Sequence, residues 1–266
     1  MAQPAHATHP EKNGGVLYVA NVLPRHLSIV NPSDGTVVPL PVDNEIASGP
    51  FPPNPSWSPD GRRIVFVRKG TEIWTMKADG SRLTFRTLGS EPSFAPDGTT
   101  IAFVRDYDLY VQDRGSTAVQ ITTKGSIQAA EWSPEGTMIA YGDDNIWTIH
   151  PDGAEDVCLT CHDDTVCGAT WMTWAPSGNR IAFHYDADLF VVRVSTHNIA
   201  RITSNGVRVY DHHASWSPDG RFLVAEAGGH RRGPGFNLFS LRDGTRKFLP
   251  VSDAGGQPAW RPVPAD

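Results

Sequence analysis

The sequence predicts an all-β chain: a six-bladed β-propeller with four antiparallel strands per blade, closed by a three-plus-one clasp between the termini. Three observations predict it. A phrase recurs five times: PSWSPDGRRIVFV from Pro55, PSFAPDGTTIAFV from Pro92, AEWSPEGTMIAYG from Ala130, MTWAPSGNRIAFH from Met172 and ASWSPDGRFLVAE from Ala214, with a truncated copy, PAWRPVPAD, from Pro258. Its aromatic anchors, Trp57, Phe94, Trp132, Trp174, Trp216 and Trp260, are 37, 38, 42, 42 and 44 residues apart by subtraction. A period of about 40 residues with four short strands per unit is the signature of a propeller. No run of 11 or more residues carries a convincing helical period.

Each element can be justified in turn. Strand A is short and ends at the anchor. The Pro-Asp-Gly turn follows: proline presets φ, aspartate bonds nearby backbone, and glycine accepts a positive φ. Strand B is the β-rich run, as in Ile64-Val65-Phe66-Val67 and Ile101-Ala102-Phe103-Val104. Strand C alternates, as in Ile73-Trp74-Thr75-Met76 and Ile146-Trp147-Thr148-Ile149. A second turn, such as Ala78-Asp79-Gly80 or Arg242-Asp243-Gly244, leads to strand D, expected at Arg82–Thr84, Val119–Thr122, Cys158–Thr160 and Arg201–Thr203. The N-terminal segment offers strands B (Val16–Val19), C (Leu27–Val30) and D (Val37–Leu40) but no A. The last anchor, Trp260, has an A and nothing after it. Together they complete the sixth blade, which removes the open sheet edges. The expected layout is a flexible tail over residues 1–13, one propeller over 14–262 and a C-terminal tail over 263–266.

The phrase Trp-Ser-Pro-Asp-Gly followed by Ile-Ala-Phe, then by Ile-Trp-Thr-Met and Asp-Gly with Leu-Thr, resembles the TolB-like family of WD-repeat-related propellers. The resemblance covers roughly residues 14–262. It implies the propeller fold. For function it implies several uses, since such blades serve as protein-binding domains, as caps on peptidases and in some lyases. No Gly-x-Ser-x-Gly nucleophile elbow is present, and no residues remain for a peptidase domain.

Composition narrows the partners. The net charge of −6 argues against general nucleic-acid binding. No stretch approaches the roughly 18 apolar residues of a membrane helix. The start, MAQPAHATHPEKNGG, shows no apolar leader. That reads as cytoplasmic, or as periplasmic or secreted if a leader was removed.

Propeller topology sorts the loops by face. The A-to-B and C-to-D turns fall at the bottom and repeat, so they read as scaffold. The D-to-A and B-to-C loops fall on top and vary, which is where function usually lives. The top holds the candidate catalytic residues His184, His212, His213 and His230, and the candidate ligand-binding residues Arg105, Trp171, Tyr185, Arg231, Arg232 and Gln257. His212, His213 and Gln257 are also candidates for a divalent metal, because imidazole with amide or carboxylate suits such an ion. The resemblance adds that some TolB-related lyases hold a metal in the channel with histidine and glutamine. The bland alternative is ordinary loop histidines. Cys158-Leu-Thr-Cys161-His162, with Cys167 nearby, fits a haem-attachment pattern or a zinc set. A local disulfide or free thiols in the loop before Trp171 explain it more simply. The glycine–arginine run Gly228–Gly235 is either an anion-binding loop or an insertion. The preferred function is a module that binds a protein segment or small ligand at the top face and channel mouth. The alternative is a metal- or histidine-dependent lyase, hydrolase or cyclase in the channel.

Overall fold

The computed structural model describes residues 14–20, 26–41, 54–163, 166, 168–169, 171–204, 210–228 and 233–263. His230, Arg231, Arg232 and Cys167 lie outside the described residues. Six four-stranded antiparallel sheets form the blades. Blade 1 joins β1 (Val16–Val19), β2 (Leu27–Val30) and β3 (Val37–Pro39) to β24 (Ala259–Trp260). Blade 2 is β4 (Ser56–Trp57), β5 (Arg63–Arg68), β6 (Glu72–Lys77) and β7 (Thr84–Leu88). Blade 3 is β8 (Ser90–Phe94), β9 (Ile101–Arg105), β10 (Asp108–Gln112) and β11 (Val119–Gln120). Blade 4 is β12 (Ala129–Trp132), β13 (Ile139–Gly142), β14 (Ile146–Ile149) and β15 (Val157–Cys158). Blade 5 is β16 (Met172–Trp174), β17 (Arg180–Tyr185), β18 (Asp188–Arg193) and β19 (Ile199–Arg201). Blade 6 is β20 (Tyr210–Trp216), β21 (Phe222–Gly228), β22 (Gly235–Ser240) and β23 (Arg246–Pro250).

The clasp forms as expected. Val16 pairs with Trp260 and Leu17 with Ala259 across β1 and β24. The Trp260 indole donates to the Gly14 carbonyl at 3.2 Å, and the Tyr18 hydroxyl to Asp253 at 2.8 Å. Three other anchors bind blade to blade. The indoles of Trp57, Trp174 and Trp216 donate to the carbonyls of Ala259, Glu131 and Thr173 in the preceding blade, at 3.1, 3.1 and 3.0 Å.

The strand B runs are apolar throughout because both of their faces are buried. Successive side chains point to opposite faces. Ile64 and Phe66 pack toward blade 1, while Val65 and Val67 pack toward blade 3. Ile101 and Phe103 then face blade 2, and Ala102 and Val104 face blade 4. The core is thus six wedges, one per blade interface, rather than one central mass.

Strand D differs from expectation. β11, β15 and β19 are short and end before the Ile-Thr or Leu-Thr dipeptide, and β7 starts at Thr84 and runs on to Leu88. The dipeptide does another job. The hydroxyls of Thr122, Thr160 and Thr203 accept the strand C amides of Leu109, Ile146 and Leu189 at 3.0, 3.0 and 2.9 Å. The same hydroxyls donate to Asp108, Asn145 and Asp188 at 3.1, 3.0 and 2.9 Å. These top-face Asp and Asn side chains are therefore part of the scaffold. No helix among the described residues is long and apolar enough to cross a membrane.

Candidate functional site at the channel mouth

The six strand A elements run side by side around a central cavity of about 440 Å³. Position along strand A, counted from the anchor, sets the height in this channel. Two residues after the anchors lies a ring of six prolines: Pro59, Pro96, Pro134, Pro176, Pro218 and Pro262. Three residues before the anchors lies the mouth: Asn54, Glu91, Ala129, Trp171, His213 and Gln257.

Four of the six mouth residues adopt the left-handed backbone conformation, with φ of 39° at Asn54, 50° at Glu91, 47° at His213 and 54° at Gln257. That region is disfavoured for side chains with a Cβ. At Glu91 and His213 it coincides with register shifts, between Ser90 and Ser93 in β8 and between His212 and Ser215 in β20. A bulge re-aims the side chain it carries, and here both line the channel.

The mouth is only partly satisfied within the protein. Gln257 is 9% exposed; its Oε1 accepts the Asn54 amide at 2.8 Å, while its Nε2 has no partner. The Asn54 carboxamide, the Trp171 indole N–H and His213 Nε2 also lack hydrogen-bond partners. His213 Nδ1 lies 3.4 Å from Glu226. Deeper in the channel, one residue before the Trp132 anchor, Glu131 lines the same cavity and accepts the Thr173 hydroxyl at 3.4 Å. Burial pushes the carboxyl of Glu91 up to about 8. It does the same to Glu131, also to about 8, against the opposing hydrogen bonds from Trp174 and Thr173.

The histidines form one cluster beside the mouth. The rings of His184 and His212 are 4.1 Å apart, those of Trp171 and His213 4.7 Å, and those of His212 and His213 6.1 Å. Burial, with His184 and His213 adjacent, lowers His212 to about 4. Burial also lowers His184. Both rings are therefore neutral near pH 7. Among the described residues, no three His, Cys, Asp or Glu side chains are arranged to hold a metal ion.

Of the sequence candidates, Trp171, His213 and Gln257 line the channel, and His184 and His212 stand behind them. Arg105 does not line it: its guanidinium stacks on Phe103 and Tyr110 of its own blade and donates to the Leu88 carbonyl and the Thr87 hydroxyl of β7, so it ties blade 3 to blade 2. Tyr185 packs against Phe190 in the wedge between blades 4 and 5. Cys158 and Cys161 are joined in a disulfide, which takes up both cysteines of the Cys-x-x-Cys-His pattern. Sequence reasoning missed Asn54, Glu91 and Glu131. Counting three residues back from every anchor, rather than scanning for histidine, would have found the first two.

A family model described as the dipeptidyl peptidase IV N-terminal region matches residues 89–129 and 158–227. No curated protein sequence matches the chain. Among solved structures, TolB from Acinetobacter baumannii is 19% identical with a TM-score of 0.79, over 94% of this chain and 67% of that one. A putative TolB from Agrobacterium tumefaciens is 17% identical with a TM-score of 0.69, over 91% and 90%. An oligogalacturonate lyase in complex with manganese is 14% identical with a TM-score of 0.60, over 89% and 74%. At these identities the likeness is one of fold: the chain is a six-bladed β-propeller similar in fold to the TolB structures.

Proposed function

We propose that this chain is a binding module whose channel mouth receives a segment of a protein partner. One observation carries the reading. Asn54, Trp171, His213 and Gln257, four neighbours around one opening, present polar atoms with no partner in the protein. Such atoms are costly to leave unpaired. Three of these residues also hold a disfavoured backbone conformation that aims them there. Strain and unpaired polarity together are expected of a surface completed by a ligand, and loops on a rigid frame are where binding residues concentrate. The TolB structures of similar fold agree with a binding role. The fold likeness to a manganese-bound lyase leaves catalysis as an alternative, but the donor geometry gives it no support.

Panning a displayed random-peptide library against the full chain tests the reading. Selected peptides should lose binding to an Asn54→Ala, Gln257→Ala double variant and keep it for an Arg105→Lys variant. Peptides that bind all three proteins equally, or no selection at all, would count against it.

A further inference from the structure

We infer that the channel takes an alkylammonium group, supplied by a lysine side chain of the bound segment. The inference deepens the reading just proposed and rests on it for the source of the amine.

The charge of the channel carries the argument. Its lining includes two carboxyl groups, Glu91 and Glu131, and no lysine or arginine. Neither carboxyl has an ion-pair partner among the described residues, and no nearby charge enters the causes of either shift. Elsewhere two acids are coupled to cations, the exposed Asp156 to Lys124 at 2.9 Å and the buried Asp188 to Arg201. The two channel carboxyls have no such partner among the described residues. Both side chains are partly exposed, and with values of about 8 they keep their protons near neutral pH; an incoming ammonium would favour the carboxylate form and draw those protons off.

The shape points the same way. Glu91 sits at the mouth, and Glu131 sits two residues further along its strand, roughly 7 Å deeper. Ala129 and Glu131 lie two apart in β12 and share a face. The small Ala129 side chain leaves the way to Glu131 open. In the next blade, the Trp171 ring lines the mouth, and an indole face attracts a cation. Across the opening, Asn54 Oδ1 is an unpaired acceptor for ammonium N–H groups, and His213 beside Trp171 leaves Nε2 unpaired. Gln257, nine-tenths buried, offers its unpaired Nε2–H to an acceptor such as the backbone carbonyl beside a lysine. A thin aliphatic stem with a cationic tip fits this order of groups better than a planar guanidinium, which wants a bidentate carboxylate at one level.

The test uses the full chain and four probes. The indole N–H resonance of Trp171, assigned with Trp171→Phe, is followed during titration with n-butylamine and with n-butanol as its uncharged counterpart. Calorimetry then compares acetyl-Gly-Lys-Gly-amide with the same peptide carrying norleucine. The amine and the lysine peptide should bind, the alcohol and the norleucine peptide should not, and Glu91→Gln and Glu131→Gln should each weaken binding at least about tenfold. Equal binding of amine and alcohol, or amine binding that survives both glutamine substitutions, would overturn the inference. The amine–alcohol comparison needs no variant, so it decides even if a substitution harms the fold. If n-butylamine binds and the lysine peptide does not, the ammonium site stands and the protein-segment reading falls. If selected peptides bind at the mouth without a cationic residue, the reverse holds.

Discussion

The two ends of the channel are built from the same six strands and share almost nothing else. At the bottom, the position two residues past each anchor is proline in all six blades. At the top, the position three residues before it is Asn, Glu, Ala, Trp, His and Gln, six different types. Bottom polar groups are satisfied locally. The Ser58 hydroxyl donates to Asp60 at 2.5 Å, the Asp60 carboxylate accepts the Arg62 amide at 3.0 Å, and the Gly61 amide donates to the Ser58 carbonyl at 2.8 Å. Ser217, Asp219, Arg221 and Gly220 repeat the arrangement in blade 6. The top leaves polar atoms unpaired and backbone strained. Repetition marks what closes the ring, and departure from repetition marks what the ring presents.

The sharpest test of that division removes one tryptophan from each class. Trp216 is 5% exposed, donates to Thr173 and lies under Arg180, whose guanidinium is 4.8 Å from its ring. Trp216→Ala should cost about 3–5 kcal/mol, as other large-to-small core substitutions do. Trp171 lines the open mouth, and its indole N–H has no partner. Trp171→Ala should cost about 1 kcal/mol, while weakening the binding of n-butylamine read by calorimetry. Denaturant unfolding of both variants checks this. Equal losses would mean that the mouth is as structural as the wedge, and the comparison would break.

This division also explains what could be read from the sequence. The fold was legible because each blade repeats one solution to one packing problem. The Ile-Val-Phe-Val run must be apolar on both faces, and the Pro-Asp-Gly turn must supply a positive φ. Strand D was misplaced because Leu159-Thr160 and Ile202-Thr203 look like strand and act as a cap. The site was half legible. Trp171, His213 and Gln257 stand out by residue type. Glu91 does not: only its place three residues before the Phe94 anchor marks it, and the bulge that turns its side chain into the channel is not visible in the sequence. Arg105 illustrates a related limit: nothing in the sequence shows that a loop arginine stacks on Phe103 and Tyr110 away from the channel.

The acids of the two ends should respond to pH with opposite sign. At the bottom, burial works against the Asp97 carboxylate, but the Thr100 hydroxyl and the amides of Thr99 and Thr100 outweigh it and hold its pKa below the ordinary value. Hydrogen bonds from Ser240 and Thr245 hold Asp243 at about 2. Their contribution is present above the unfolded value of 3.8 and is lost as pH falls through the folded values. Glu91 and Glu131 do the reverse. Their folded value of about 8 exceeds the unfolded 4.5, so the folded state holds its protons more tightly, and stability falls as pH rises from 4.5 to 8. The neighbouring titratable groups are His184, His212, His213 and Glu226. His212, lowered to about 4, costs stability as pH falls below 6.5 and so must be separated out. The difference between the parent and Glu91→Gln does this. The variant should be more stable by on the order of 2 kcal/mol at pH 9, after allowing for water in the open channel, and equal to the parent near pH 4.5. A difference that does not change with pH would remove the buried-carboxyl basis of the ammonium site.

The smallest expected effect compares two backbones within blade 3. Glu91 at the top and Gly98 in the bottom turn are both left-handed, with φ of 50° and 67°. At Gly98 the conformation is met by the residue that tolerates it; at Glu91 it is not. Gly98→Ala should destabilise by about 1 kcal/mol from the conformation alone, and a Cβ there would also meet Arg63 Nη2 at 3.3 Å. Glu91→Gly should stabilise, but the comparison must be made with Glu91→Gln and at pH 4.5, so that loss of the carboxyl does not masquerade as relief of strain. Under those conditions glycine should exceed glutamine by about 0.5–1 kcal/mol, the left-handed penalty less the greater freedom of glycine in the unfolded chain. Glycine no better than glutamine would mean that the mouth backbone carries no strain for a ligand to justify. The reading of the site would then rest on its unpaired polar atoms alone.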